Sequence, residues 1–124
     1  MNPTTQRAFE FLCRAGETGD WQPLLEMLTD DFEFLFPAGA SRGLHSGTAG
    51  KEVFLQWVQK RAASRSVKTP ELALHTAEWS VYCVDSRGED ALGRFETHVA
   101  LFFKARGDQL CAYREYIGDI TAWI

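Results

Sequence analysis

From Arg94 to Asp119 the chain alternates apolar and polar residues with a regularity that suits an antiparallel ribbon and little else. Phe95, Thr97, Val99, Leu101 and Phe103 share one face of the first strand, and Glu96, His98, Ala100 and Phe102 the other. The segment KARGDQ then breaks the pattern, with Gly107 and Asp108 suited to a tight turn. On the return strand, Leu110 to Ile117, the spacing predicts Cys111, Tyr113, Glu115 and Ile117 on one face, with Leu110, Ala112, Arg114 and Tyr116 opposite. Glu115 is thus a carboxylate among apolar neighbours.

The first half of the chain reads differently. Asn2 before Pro3 is a helix start, and Ala8, Leu12 and Ala15, flanked by Phe9 and Phe11, form an apolar stripe that Gly16 is expected to end. Asp20 is placed to cap a second helix, with Trp21, Leu24, Leu25 and Leu28 at i, i+3, i+4 and i+7. DDFEFLFP alternates Phe32, Phe34 and Phe36 against Asp31, Glu33 and Leu35, a short strand closed by Pro37. A loop with four glycines in 13 residues, AGASRGLHSGTAG, follows, but no Gly-Lys-Ser/Thr ends it, which argues against a phosphate-binding loop. Thr48 is expected to cap a third helix with Phe54 and Trp57 on its core face. Strands are predicted from Glu71 (LALH) and across EWSVYCV, with SRGED as the turn into the long ribbon. Helices in the first half and strands in the second define an α+β fold, a sheet with helices on one face.

At 124 residues the chain is expected to form one domain, 1–124. The net charge of −4, and basic residues scattered apart from Lys60, Arg61, Arg65 and Lys68, argue against a nucleic-acid partner. That small cluster reads as cations complementing the end of the third helix. Cys13, Cys83 and Cys111 have neither disulfide nor zinc spacing, no histidine or carboxylate pair has ligand spacing, and no metal or cofactor is expected. No apolar run approaches the roughly 20 residues of a membrane span, so the expected setting is cytoplasmic, with no membrane partner.

In their order and spacing, GDWQPLLEMLTDDFEFLFP, HSGTAGKEVFLQWV and FFKARGDQLCAYREYIGD resemble the nuclear-transport-factor-2-like superfamily, within it the SnoaL-like polyketide cyclases, ketosteroid isomerases and limonene-epoxide-hydrolase-like proteins. The resemblance spans nearly the whole chain. It implies a cone-shaped, strongly curved antiparallel sheet wrapped around three helices with an interior pocket, and a homodimer formed through the outer sheet face. Against the isomerases, Phe36 stands where their general-base aspartate would be and Leu12 where their first-helix tyrosine would be. Against the hydrolases, the positions near Val81 and Cys83 that would carry an Arg and an Asp are apolar. The acidic residue of the last strand is matched by Glu115, and the aspartate usual after this motif comes one residue late, as Asp119 behind Gly118.

The resemblance therefore implies a small, largely apolar or aromatic ligand inside the cone, with walls expected from Trp21, Phe36, Phe54, Trp57, Thr97, Val99, Leu101, Tyr113 and Glu115. Glu115, desolvated among Tyr113, Ile117, Val99 and Leu101, is the candidate acid or base for an isomerisation or cyclisation, and Tyr113 a candidate hydrogen-bond donor. A Glu115 held in an ion pair at the rim would do no chemistry, and the domain would then be a binding or dimerisation module. Of the histidines, His98 is expected on the outer face, His45 in the loop at the pocket mouth, and His75 in a strand without special duty.

Overall fold

Phe32, Phe34 and Phe36 point one way from their strand and are buried, and the rest of the structure closes over that aromatic face. The computed structural model describes residues 2–121. Its elements are α1 (Pro3–Thr18), α2 (Gln22–Leu25), β1 (Leu28–Phe36), β2 (Gly43–His45), α3 (Thr48–Arg61), β3 (Arg65–His75), β4 (Trp79–Asp90), β5 (Gly93–Arg106) and β6 (Gln109–Thr121). The six strands form an open, curved sheet of order β2-β1-β6-β5-β4-β3, antiparallel except for the parallel pair β1–β6. Helices α1 and α3 pack inside the curve, α1 against β3 and α3 against β1, which makes the cone.

Local chemistry explains most boundaries. Asn2 caps α1, its side chain accepting from the backbone N–H of Thr4 and Thr5. The helix does not stop at Gly16, which is buried against β3. It ends at Gly19, whose φ of 83° provides the left-handed cap, with its N–H donating to the Ala15 carbonyl. The second helix is only one turn. Asp20 does accept from Gln22 N at 3.2 Å, but Leu28 belongs to β1, which starts earlier than the phenylalanine alternation suggests. Gly47, not Thr48, is the N-cap of α3, and Thr48 is its first residue.

The strands are longer than their sequence signals. β3 begins at Arg65 rather than Glu71, and β4 runs straight through SRGED, pairing Ser66 with Gly88 and Lys68 with Ser86 before a two-residue turn at Ala91 and Leu92. Gly88 is there for close approach, because a Cβ on it would lie 2.1 Å from the Arg65 carbonyl oxygen. The β5–β6 turn falls at Gly107 and Asp108 as expected, with φ of 65° at Gly107. One bulge in β6 leaves Cys111 without a cross-strand partner, so Leu110 and Tyr113 both reach the core although strict alternation puts them on opposite faces. A second, at Gly118, seats Asp119 beside His98.

The cysteines are all free, and burial raises the Cys13 thiol pKa to about 11. Among the described residues no helix is long and apolar enough to cross a membrane.

Gly50 sits where α3 presses on β1, and a Cβ there would meet the Phe32 carbonyl oxygen at 1.8 Å and the His45 carbonyl oxygen at 2.8 Å. Gly50→Ala should therefore destabilise the fold by about 2–3 kcal/mol in urea denaturation, reversing the roughly 1 kcal/mol gain of such a change in an unobstructed helix.

Candidate functional site

Each long element has a closed end and an open end. At the closed end bulky side chains interdigitate: Phe9 stacks on Tyr82 at 3.9 Å, and Phe34 meets Phe54 at 5.0 Å and Trp57 at 5.5 Å. Toward the other end the inward positions become small or polar: Gly16 on α1, Ser66 and Lys68 on β3, Ser86 on β4 and Thr97 on β5. Packing cannot fill that end, and a cavity of about 850 Å³ remains. Its walls are Leu12, Trp21, Phe36, Trp57, Val99 and Ile117, and exposed residues such as Ala40, Ala91 and Leu92 stand at its mouth.

Of the nine residues expected from the sequence, Trp21, Phe36, Trp57, Thr97, Val99 and Glu115 line this cavity. Phe54, Leu101 and Tyr113 do not. They lie one layer deeper, at 0%, 0% and 1% exposure, because the closed end of the cone fills with the larger side chains.

Glu115 marks the boundary between the layers. It is half-buried on the cavity wall, and Oε1 accepts from the Tyr113 hydroxyl at 2.5 Å. Burial, and then the neighbouring Glu115 charge, push the Tyr113 pKa well above 10, so the phenol stays protonated and acts as donor. Tyr113 therefore orients the carboxylate and spends its hydroxyl on it instead of on a ligand.

The surroundings of Glu115 are not purely apolar. Arg61 and Lys68 line the same cavity, and Glu115 favours the charged form of both. The Arg61 guanidinium lies over the rings of Trp57 at 4.1 Å and Phe36 at 4.9 Å. Lys68 Nζ donates to Ser66 Oγ at 2.8 Å. Among the described residues neither cation has a carboxylate within ion-pair distance. Desolvation lowers the pKa of both. The basic cluster at the end of α3 is thus divided: Arg61 and Lys68 are half-buried on the cavity wall, the exposed Lys60 also borders the cavity, and Arg65 does not, so the cluster has a role beyond complementing the helix dipole. Sequence reasoning passed over Lys68 because its inward orientation follows from the β3–β4 register, which no local pattern reveals.

The other candidates lie elsewhere. His98 is on the outer face, with Nδ1 2.7 Å from Asp119 Oδ1 and Nε2 3.5 Å from Glu71 Oε1, and the Asp119 hydrogen bond raises its pKa above the usual 6.5. His45 Nε2 is 2.9 Å from the Ser41 carbonyl oxygen and ties down the loop at the mouth. His75 Nδ1 contacts Ser80 Oγ at 2.7 Å. Val81 and Cys83 pair with Phe102 and Ala100 on the outer face, so no hydrolase-like Arg and Asp at those positions would reach the cavity. Among the described residues no group of three or more His, Cys, Asp or Glu is placed to hold a metal ion.

Comparison with solved structures places this arrangement. An NTF2-like protein from Anabaena variabilis is 30% identical with a TM-score of 0.80, the match covering 94% of this chain and 87% of that one. The chain belongs to the NTF2-like superfamily. The epoxide hydrolase/cyclase-like enzyme SalBIII, described in pyran ring formation in the polyether salinomycin, shares the fold at 16% identity and a TM-score of 0.72, over 96% of this chain and 98% of that one. A computationally designed 17-OHP binder shares it at 15% identity and a TM-score of 0.75, over 98% and 97%. No protein-family model and no curated protein matches the chain.

Lys68 exacts a cost in stability, because its ammonium is desolvated with a single neutral acceptor. Between its lowered folded pKa and the unfolded value near 10.5 the unfolded chain holds more protons, so this cost shrinks as pH rises through the folded pKa and is gone above about 10.5. Lys68→Met should stabilise the protein at neutral pH by roughly 1 kcal/mol, about 4 °C in Tm. The gain should fade in melts at alkaline pH. A lower Tm at pH 7 would contradict this account.

Proposed function

We propose that the chain is a small-molecule-binding NTF2-like protein whose cavity takes a largely apolar, partly oxygenated molecule, and that Glu115 transfers a proton during its isomerisation or cyclisation. The observation that carries this reading is the Glu115 carboxylate, half-buried on the wall of the cavity and aimed by Tyr113. An aromatic wall supplies apolar burial, and one oriented carboxylate supplies a proton acceptor close to a bound carbon acid.

A second reading, non-catalytic binding in the same cavity, is favoured by the place of the other acid-base groups. The phenol of Tyr113 is buried below the cavity floor and occupied by Glu115, and Phe36 and Leu12 hold the wall positions where an isomerase-like aspartate and tyrosine would stand.

Deuterium incorporation beside the carbonyl of a panel of enolisable aryl ketones, followed by NMR, separates the two readings. The catalytic reading predicts exchange above the buffer rate, reduced by about 100-fold or more in Glu115→Gln. Exchange unchanged in that variant would sink it, and saturable binding with exchange at the buffer rate would leave binding alone.

The expected partner is a second copy. The outer sheet face carries Val67, Leu72, Leu74 and Tyr116 at 42–58% exposure, around the half-buried Val81, Cys83, Ala100 and Phe102. Charges of both signs border it, Arg87 with Asp85 and Glu96 on one side and Lys104 with Glu78 on the other. An apolar centre with a mixed rim suits a self-complementary two-fold contact. The three unpaired cysteines suit a reducing, cytoplasmic setting. Light scattering should give twice 14.0 kDa for the native chain and 14.0 kDa for Leu72→Lys/Leu74→Lys. A monomeric native chain would remove the dimer from this account.

A further inference from the structure

The polar groups around the cavity are unbalanced. Lys60, Arg61 and Lys68 donate and cannot accept, whereas only Asp90 and Glu115 are carboxylates, and Glu115 already accepts from Tyr113. Trp21 Nε1, Trp57 Nε1 and Thr97 Oγ1 belong to wall residues and have no hydrogen-bond partner among the described residues, but these atoms are closed off from the cavity surface and add no donor to it. The charge count agrees, with three cations against two carboxylates leaving an excess of one positive charge.

Arg61 and Lys68 matter most here. Each is desolvated, and neither has a carboxylate within ion-pair distance among the described residues. Stacking on Trp57 and Phe36 fixes the Arg61 guanidinium at the aromatic wall, and the hydrogen bond to Ser66 Oγ fixes the Lys68 ammonium on β3. Cations left in this state in a mostly apolar cavity are stabilised by an anion bound between the walls, where the low dielectric strengthens the attraction.

We propose that the ligand of this cavity is an amphipathic carboxylic acid, its aromatic or alicyclic body against Trp21, Phe36, Trp57 and Val99 and its carboxylate held by Arg61 and Lys68. This rests on the reading of the cavity as a binding site, and it does not depend on catalysis. Glu115 has a second part in this arrangement: its negative charge limits how strongly the anion is held, so a bound acid sits between two attracting groups and one repelling one.

The test compares 4-phenylbutyrate with 4-phenylbutanol, equal in body and different in head, by calorimetric titration of the full chain near pH 7. The acid should bind about tenfold or more tighter than the alcohol. In Arg61→Gln/Lys68→Gln that preference should vanish, with circular dichroism reporting that the native fold is kept. In Glu115→Gln the acid should bind several-fold tighter. Equal affinities in the native protein, a preference that survives the double substitution, or no saturable binding of the acid up to about 10 mM would each overturn the proposal. The failure of proton transfer in Glu115→Gln is read by deuterium exchange, so the two ideas fall separately. If the double variant unfolds, Lys68→Met alone carries the test, and it should lose about half of the preference on a logarithmic scale.

Discussion

Phe34 holds the architecture together. Its ring lies 5.0 Å from Phe54, 5.5 Å from Trp57, 6.1 Å from Tyr113 and 6.2 Å from Phe36, so one residue of β1 joins α3 to β6. Aromatic contacts of this kind add to the area they bury. Because α3 is pinned at Phe54 and Trp57, its last turn is carried over the sheet and delivers Arg61 to the cavity wall. The same cluster buries the Tyr113 phenol, which then needs a hydrogen-bond partner, and the partner within reach is Glu115. Packing at the closed end thereby sets the geometry of the polar groups at the open end.

The cavity follows from how side-chain volume is distributed along the elements. Phenylalanine, tyrosine and leucine fill the inward positions of β1, β5 and β6 at the closed end, whereas Gly16 on α1, Ser66 on β3, Ser86 on β4 and Thr97 on β5 leave room where the cone opens. The two inward cations are strained residents in this setting, costly in the empty protein and useful once an anion is present, a trade between stability and function familiar at binding sites.

Much of this was legible in the sequence, and the divisions have physical reasons. The phenylalanine alternation of β1, the Phe54 and Trp57 face of α3 and the long ribbon of β5 and β6 are local, periodic signals, and each appears in the structure. Non-local features were hidden. The bulge at Cys111, which brings Leu110 into the core, shows only in strand register. Gly16 and Gly88 looked like breaks but serve close approach to β3, a contact between segments some 50 and 20 residues apart in the chain. Lys68 read as part of a basic cluster complementing the end of α3 because nothing near it indicated that β3 starts at Arg65 or which way each side chain turns. For the site, the aromatic wall and Glu115 came from pattern and family resemblance, while the cations opposite them needed the fold.

The most direct measurement is a two-dimensional NMR titration that follows the indole N–H resonances as 4-phenylbutyrate is added. Trp21 and Trp57 stand on the cavity wall, and Trp79 lies on the outer face, near Lys104 and Arg114. Each is therefore a local reporter of one candidate location. If the cavity is the binding site, the Trp21 and Trp57 signals shift together and saturably while Trp79 stays in place. If Trp79 moves and the other two do not, the acid sits on the outer sheet, and the account of the cavity is wrong.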